Sequence, residues 1–251
     1  MTDSRKIVLF DLDGTIVPWD MQLLFFNFII RRKPWRWFLL SPFFFCLPFY
    51  LIGLLNETTM KRLFLAYLTR FSRIKIKEYT QQFVREYVMP LSYSEVLDRL
   101  KVHQSSGDLC ILVSASPTLY VEEVGKAWGF DLSLGTDTEE TDPFPFFPKL
   151  PLGNNKGETK VVRLRKMGYL PRESASIPAG SIAYSDSSAD LPMLLAVESA
   201  VLVNPSVKLL KAAKGKDWEV ITPSRPWTGK VGFILSIIKQ LYGLYPPPKK
   251  P

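Results

Sequence analysis

Cysteine and histidine are the scarcest chemical resources of this chain, with two Cys and one His among 251 residues. Cys46 lies in an apolar run and Cys110 in a strand-like one, so neither a disulfide framework nor a metal–thiolate cluster is available. A reducing compartment is the simpler setting. His103 has no partner at catalytic or ligand spacing and reads as a packed or solvated residue. Zinc-finger and RNA-recognition signatures are absent, as is an Arg/Lys-rich recognition helix, so no nucleic-acid partner is expected despite a net charge of +8. There is no internal repeat. Met1 to Thr15 offers an apolar stretch only one strand long before two acids, so no cleavable signal is expected, and the part holding Asp11 is expected in the cytoplasm. An uninterrupted spanning segment is lacking too. Trp37 to Leu55 carries no charge and approaches the roughly 20 residues a spanning helix needs, but Pro42, Pro48 and Gly53 interrupt it.

What the chain has in plenty is apolar surface: 47% hydrophobic residues and 17 Phe coexist with the positive charge, a pairing that points to an anionic membrane surface. The stretch that organises the rest is KIVLFDLDGT, Lys6 to Thr15. Ile7 to Phe10 reads as a buried parallel strand, stopped by turn residues. Asp11 and Asp13 then emerge at its carboxyl end, where open α/β sheets bind ligands. Two carboxylates so close repel each other, which makes sense if a cation or a reacting phosphate lies between them.

Three further strand or helix ends follow the same design. Leu109 to Val113 reads as a strand ending in Ser114-Ala115-Ser116-Pro117, a hydroxyl and free N–H groups before a helix over Leu119 to Trp128. Asn154 to Leu164 restarts a helix, with Lys160 in its first turns; a lysine there opposes the helix dipole and calls for a negative partner. Ser181 to Tyr184 reads as a strand running into Ser185-Asp186-Ser187-Ser188-Ala189-Asp190, and Ala200 to Val203 as another. Val207 to Ala213 reads as a helix, Glu219 to Ile221 as an edge strand, and the tail YPPPKKP as disordered and basic.

Between the first strand and the second, Val17 to about Met89 reads as a helical insertion. Met21 to Ile30 is nearly all apolar, and Arg31, Arg32, Lys33 and Arg36 interleave with Trp35 and Trp37 as residues at a membrane interface do. The strands on either side pair in one sheet, so a single membrane crossing is excluded. A helical hairpin at 37–55, bent at Pro42 or Pro48 and dipping into one leaflet, fits length and topology; the plain alternative is an apolar face buried in the insertion or against a second subunit, which leaves an oligomer open. Met60, Leu63, Phe64, Tyr67, Leu68 and Phe71 recur at helical spacing, with Lys61, Arg62 and Arg70 on what is by default a solvated face, the alternative being that they face a phosphate or a lipid headgroup. Lys75 to Met89 reads as a polar helix ended by Pro90, and Ser94 to Gln104 as a helix returning to the sheet.

Asp11-Leu12-Asp13-Gly14-Thr15, Ser114, Lys160 and Asp186 with Asp190 stand in the order of the four motifs of the haloacid dehalogenase phosphohydrolases, which this chain resembles over roughly residues 4 to 17 and 90 to 222. Lys156 competes for the third motif, but G-E-T-K-V before a helix is similar to the subclass (subfamily IB) that contains phosphoserine phosphatases. The resemblance implies an α/β fold: a Rossmann-like core, a parallel sheet flanked by helices, made from 1–17 and 90–251, with an all-helical cap of the first type at 18–89. It also implies a Mg²⁺-dependent phosphomonoesterase. Asp11 would be the nucleophile and Asp13 the acid and base; Ser114, the Ala115 N–H and Lys160 would bind phosphoryl oxygens. Mg²⁺ would rest on the Asp11 carboxylate, the Asp13 carbonyl and Asp186, with Asp190 in support. Asp20 falls near the cap-hinge acids that touch substrate in this subclass, and it also reads as a helix cap. The greasy insertion resembles the phosphatidylglycerophosphatase C type, implying a lipid phosphate as substrate at the cytoplasmic face of the plasma membrane. The alternative is a soluble phosphatase of phosphoserine or a small metabolite whose apolar cap dimerises. A membrane-bound adaptor without activity would be expected to have lost an essential carboxylate or the lysine, and none is lost.

Overall fold

The computed structural model describes residues 5–171 and 177–248. Six parallel strands form one sheet in the order β3-β2-β1-β4-β5-β6. They are β1 Ile7–Phe10, β2 Leu109–Pro117, β3 Leu132–Thr136, β4 Ile182–Ser185, β5 Ser199–Val203 and β6 Glu219–Ile221. The helices are α1 Met21–Arg32, α2 Ser41–Leu51, α3 Glu57–Phe64, α4 Arg73–Phe83, α5 Met89–Leu91, α6 Ser94–Ser105, α7 Thr118–Trp128, α8 Glu158–Lys166, α9 Leu191–Leu195, α10 Val207–Ala212 and α11 Gly229–Leu241. This is the α/β, Rossmann-like architecture that alternating strands and helices imply.

Strand side chains alternate between two cores. Leu9, Ile111, Val113, Ala183 and Leu202 pack on one face against Val161 and Leu164 of α8 and Leu209 of α10. Val8, Phe10, Leu112 and Val203 face the other side, toward Val96, Leu100, Tyr120 and Val124 of α6 and α7. Phe10 stacks on Tyr184 with ring centres 4.3 Å apart. His103 bridges Asp108 (2.8 Å) and the Tyr184 hydroxyl (2.9 Å) beneath this sheet, a packing role that agrees with the sequence reading. Strand order reverses between β1 and β4, so their carboxyl ends open the crevice where such sheets bind ligands.

The segment between β1 and β2 is helical, as expected, yet differs in its details. Phe25, Phe28, Tyr67, Phe83, Tyr87 and Tyr120 form an aromatic core joining α1, α4 and α7. Arg36, read as part of an interfacial basic knot, is instead buried, and its Nη1 donates to Tyr67 O (2.7 Å) and Thr69 O (2.8 Å). The stretch 37–55 forms no hairpin of its own: it holds the end of a 3-10 turn over 34–40 and the single helix α2, which packs against α3 beyond it, and neither proline is a bend. Pro42 opens α2, where its missing N–H costs nothing, and Pro48 lies inside the helix; the chain turns at Gly53, φ 80°. Among the described residues no helix is long and apolar enough to cross a membrane. The helix read as Lys75 to Met89 ends as α4 at Phe83, passes through a π-turn over 84–88 and restarts as α5, with Pro90 inside its first turn rather than ending the helix.

The carboxyl-terminal region departs most from the sequence reading. Helix α11 was not anticipated, and Tyr245 of the tail is docked rather than disordered: its N donates to Asn27 Oδ1 (3.1 Å), Asn27 Nδ2 donates to its carbonyl (3.0 Å), and its ring meets Trp19. Residues 249–251 of that tail lie outside the described residues. Asn27 is fully buried, so Asn27→Ala removes both of its hydrogen bonds to the Tyr245 backbone and leaves only the Tyr87 hydroxyl on the Tyr245 carbonyl (3.3 Å). We expect a loss of about 2 kcal/mol, read as a fall in urea midpoint with an unchanged slope. A midpoint like that of the unaltered protein would show that the tail is not held there.

Candidate active site

Asp11 leaves β1 with its N–H donating to Tyr184 O (3.0 Å), so the strand pairing aims its side chain into the crevice. The loop then turns back on itself: Gly14 N donates to Val17 O, and Gly14 holds φ 80°. A Cβ at Gly14 would fall on the Asp186 carboxylate, so glycine serves both the conformation and the close approach. Thr15 Oγ1 accepts from Asp186 N (3.0 Å) and lies 3.2 Å from Asp11 Oδ2 and 3.4 Å from Asp186 Oδ1. One short turn thereby fixes the two carboxylates of β1 and β4 face to face.

Lys160 rises from the first turn of α8 into this cluster. Its Nζ lies 2.7 Å from Asp11 Oδ1 and 2.8 Å from Asp190 Oδ1, with all three side chains nearly sealed from solvent. Ser185 Oγ donates to the other Asp190 oxygen at 2.8 Å. Burial disfavours the Lys160 charge, but Asp11 and Asp190 overcome it and hold its pKa above the ordinary value. The competing Lys156 is half-exposed and pairs with Glu57 at 2.7 Å, outside the cluster.

Asp13 sits beside this triad in a net of donors. Its Oδ1 accepts from Met21 N (2.6 Å) and Ser116 Oγ (3.1 Å), and its Oδ2 from Ser114 Oγ (2.9 Å). Ser114 is fully buried, so its hydroxyl serves Asp13, and it is Ala115 and Ser116 that line the cavity. Burial pushes the Asp13 carboxyl up to about 6 against those hydrogen bonds, with Asp20 adding to the rise. Burial, then Asp190, push Asp186 up to about 7. Burial also raises Asp11 well above the carboxylate range despite Lys160. Asp20 caps α1 by accepting from Leu23 N (2.9 Å), as the helix-cap reading expects, and it also borders the same cavity.

Asp11, Asp186 and the Asp13 carbonyl would offer a cation hard oxygen donors, the kind Mg²⁺ takes together with water. Among the described residues no cluster of three or more His, Cys, Asp or Glu is arranged to hold a metal. Asp13 and Asp190 have their carboxylate oxygens engaged by protein donors, which leaves Asp11 Oδ2 and Asp186 for a cation. Burial first, and the neighbouring carboxylates after it, raise the pKa values of Asp11 and Asp186. The residues present fit the ion.

Above the carboxylates a cavity of about 480 Å³ is closed by the insertion, with Phe43, Leu47 and Tyr50 of α2 and Met60, Lys61 and Phe64 of α3 as its roof. Lys61 is the residue to which the sequence assigned no role, its face being solvated by default with a phosphate or lipid headgroup as the alternative. It is half-buried, donates to Ala115 O (2.6 Å) and meets Asn154 Oδ1. Burial lowers its pKa to about 8. Its signal was its place on α3 opposite a loop it could reach only in three dimensions. Ser116 was missed as well, because a second serine in a helix-start loop has the sequence signature of a cap.

Residues 8–195 match the model of the haloacid dehalogenase-like hydrolases. A histidinol-phosphatase of Neisseria meningitidis is 27% identical over 238 residues, covering 86% of this chain and 98% of that protein. Among solved structures, a protein of unknown function from Bordetella pertussis Tohama I is 26% identical with a TM-score of 0.70, covering 86% of this chain and 98% of that one. A substrate-bound phosphoserine phosphatase shares the fold, with a TM-score of 0.56 at 15% identity over 87% of this chain and 93% of that one.

Replacing Lys160 by Met leaves Asp11 and Asp190 buried without their cation. Metal-free Lys160→Met is expected to lose about 3–5 kcal/mol against urea, whereas Lys156→Met should change stability by under about 1 kcal/mol. Equal effects would contradict the placement of Lys160. With this cluster in a sheet of this order, the chain belongs to the haloacid dehalogenase-like hydrolase family, an enzyme of the type whose named relatives are phosphatases.

Proposed function

We propose that the protein hydrolyses phosphate monoesters through an aspartyl phosphate on Asp11, and that Lys160, locked between Asp11 and Asp190, carries this reading. Asp11 attacks phosphorus in line, the P–O bond to the alcohol breaks, and Asp13 gives its proton to the departing alkoxide. Asp13 then takes a proton from water as the water attacks phosphorus, releasing phosphate and restoring Asp11. A pKa of about 6 suits Asp13 to both halves. Lys160 and the Ala115 N–H bind phosphoryl oxygens, while the hydroxyls of Ser114 and Ser116 act by orienting Asp13. Mg²⁺, held by Asp11, Asp186 and the Asp13 carbonyl with Asp190 in support, would supply charge neutralisation at the phosphoryl oxygens. Residues 18–89 act as the cap on a core made of 1–17 and 90–251.

For the substrate, the likeness to histidinol-phosphatase supports a small soluble metabolite over the lipid phosphate suggested by composition. The cavity has the volume of a small-molecule site, and the exposed Asp20 that borders it suits a substrate with a cationic group. A second reading, an amphiphile such as phosphatidylglycerophosphate met at the cytoplasmic face of the plasma membrane, is favoured by the apolar wall of Phe43, Leu47 and Tyr50.

Release of phosphate from histidinol phosphate, phosphoserine and phosphatidylglycerophosphate in mixed micelles, with and without Mg²⁺, tests both readings. We expect turnover of one of the soluble esters, silenced by a chelator and restored by Mg²⁺; turnover of the lipid alone would reverse the order. Asp11→Asn should abolish hydrolysis, and Asp13→Asn should lower kcat by about 10²–10⁴-fold. Full activity in either variant would refute the assigned roles. Lys61, cationic below a pKa of about 8 and neutral above it, should make KM rise as pH passes 8. Lys61→Met should show the high KM at every pH, and an unchanged pH profile would remove Lys61 from substrate binding.

A further inference from the structure

Two faces of the molecule are apolar and uncovered, and they meet. On α2 the residues at 43, 47 and 50 roof the active-site cavity, so the opposite side, Phe45, Phe49 and Ile52, faces outward. Phe45 is 73% exposed and Leu51 74%, and α2 buries no residue at all. The turn that follows adds Leu54. Helix α11 is inverted: it buries polar Ser236 and Gln240 and turns Val231, Ile234, Leu235 and Ile238 to the outside. The two faces join where Trp37 stacks on Tyr242, just past α11, with ring centres 6.0 Å apart. Arg31 ties α1 to the same corner by donating to Gly243 O (3.1 Å).

Charge identifies what covers this surface. Residues 21–56 and 220–251 hold nine of the 32 Lys and Arg and none of the 24 Asp and Glu. The rest of the chain, with 23 basic and 24 acidic residues, is nearly neutral. Of the nine, Arg36 is buried, Arg32 pairs with Glu86 at 2.6 Å and Lys249 and Lys250 lie outside the described residues, while Arg31, Lys33 and Lys239 are exposed in the segments that build the apolar surface, as is Trp35. A second copy of this chain would bring like charges together across the contact. An anionic lipid surface supplies opposite charge at the depth of the basic residues and hydrocarbon for the residues between them.

We propose that the joined faces of α2 and α11 dock the protein in the plane of an anionic bilayer, with Phe45, Ile52 and Leu54 on one side and Ile234 and Ile238 on the other entering the acyl boundary. No helix among the described residues spans, so the attachment is interfacial and reversible. Docking sets the cavity mouth, walled by the inner face of α2, beside the lipid headgroups. The inference concerns the surface and holds whichever phosphate ester is hydrolysed.

Flotation with vesicles of phosphatidylcholine and phosphatidylglycerol in equal parts, and of phosphatidylcholine alone, tests it on the full chain. We expect binding to the anionic vesicles that weakens with added salt, and much less to the neutral ones. Phe45→Asp with Leu54→Asp, and separately Ile234→Asp with Ile238→Asp, should each reduce the bound fraction about tenfold or more, since binding scales with buried apolar area. Hydrolysis of p-nitrophenyl phosphate in solution should persist in both pairs, which separates a failure of docking from a failure of the phosphatase reading. Three results would overturn the proposal. One is wild-type protein that stays unbound at low salt, and another is binding that both pairs leave intact. The third is a stable dimer by sedimentation that these substitutions dissociate while vesicles remain unbound, which would make a second copy the occupant.

Discussion

A single buried cation holds the catalytic end of this fold together. Lys160 Nζ is within 2.8 Å of a carboxylate from the loop after β1 and of another that follows β4, and it comes itself from α8. Three parts of the chain far apart in sequence thus converge on one ammonium. The arrangement cannot be relaxed piecemeal, because removing the cation leaves two buried anions and removing an anion leaves a buried cation. Around it the remaining carboxylates stay crowded enough that burial and mutual repulsion raise Asp11, Asp13 and Asp186 above their ordinary values. Such crowded, buried carboxylates contribute little to stability, and shifted pKa values of this kind cluster at functional sites.

The features legible in the sequence are those written locally. A strand four residues long, stopped by two aspartates and a glycine, can be recognised because burial on both faces and the demand for positive φ each leave a residue signature at the place where they act. The same holds for Asp186 and for Lys160, whose unfavourable position at a helix start announced a partner. Lys156 was distinguishable from Lys160 only by the family pattern until burial separated them.

What the sequence hid was set by contacts between segments. Lys61 looked by default like a solvated residue of an amphipathic helix, and only the approach of α3 to the loop after β2 half-buries it. Arg36 sat in a run of basic and Trp residues that reads as interfacial, yet it closes the free carbonyls of Tyr67 and Thr69. Helix α11 escaped notice because its pattern is reversed, polar inside and apolar outside, so that periodicity gave no ordinary core face to find. The prolines of α2 suggested a bend, whereas glycine, with a conformation open to few other residues, makes it.

The insertion thus has two surfaces with different demands, one roofing a small polar cavity and one left apolar toward the outside. The role of the first depends on chemistry taking place at Asp11 beneath that roof. Acid quenching during turnover of a phosphate ester, borohydride reduction and peptide mass spectrometry test it most directly, because an acyl phosphate is reduced to the alcohol and an unmodified carboxylate is not. The account predicts homoserine in place of aspartate at residue 11. Homoserine at any other aspartate, or none while turnover proceeds and a known acyl-phosphate enzyme is trapped alongside, would contradict it.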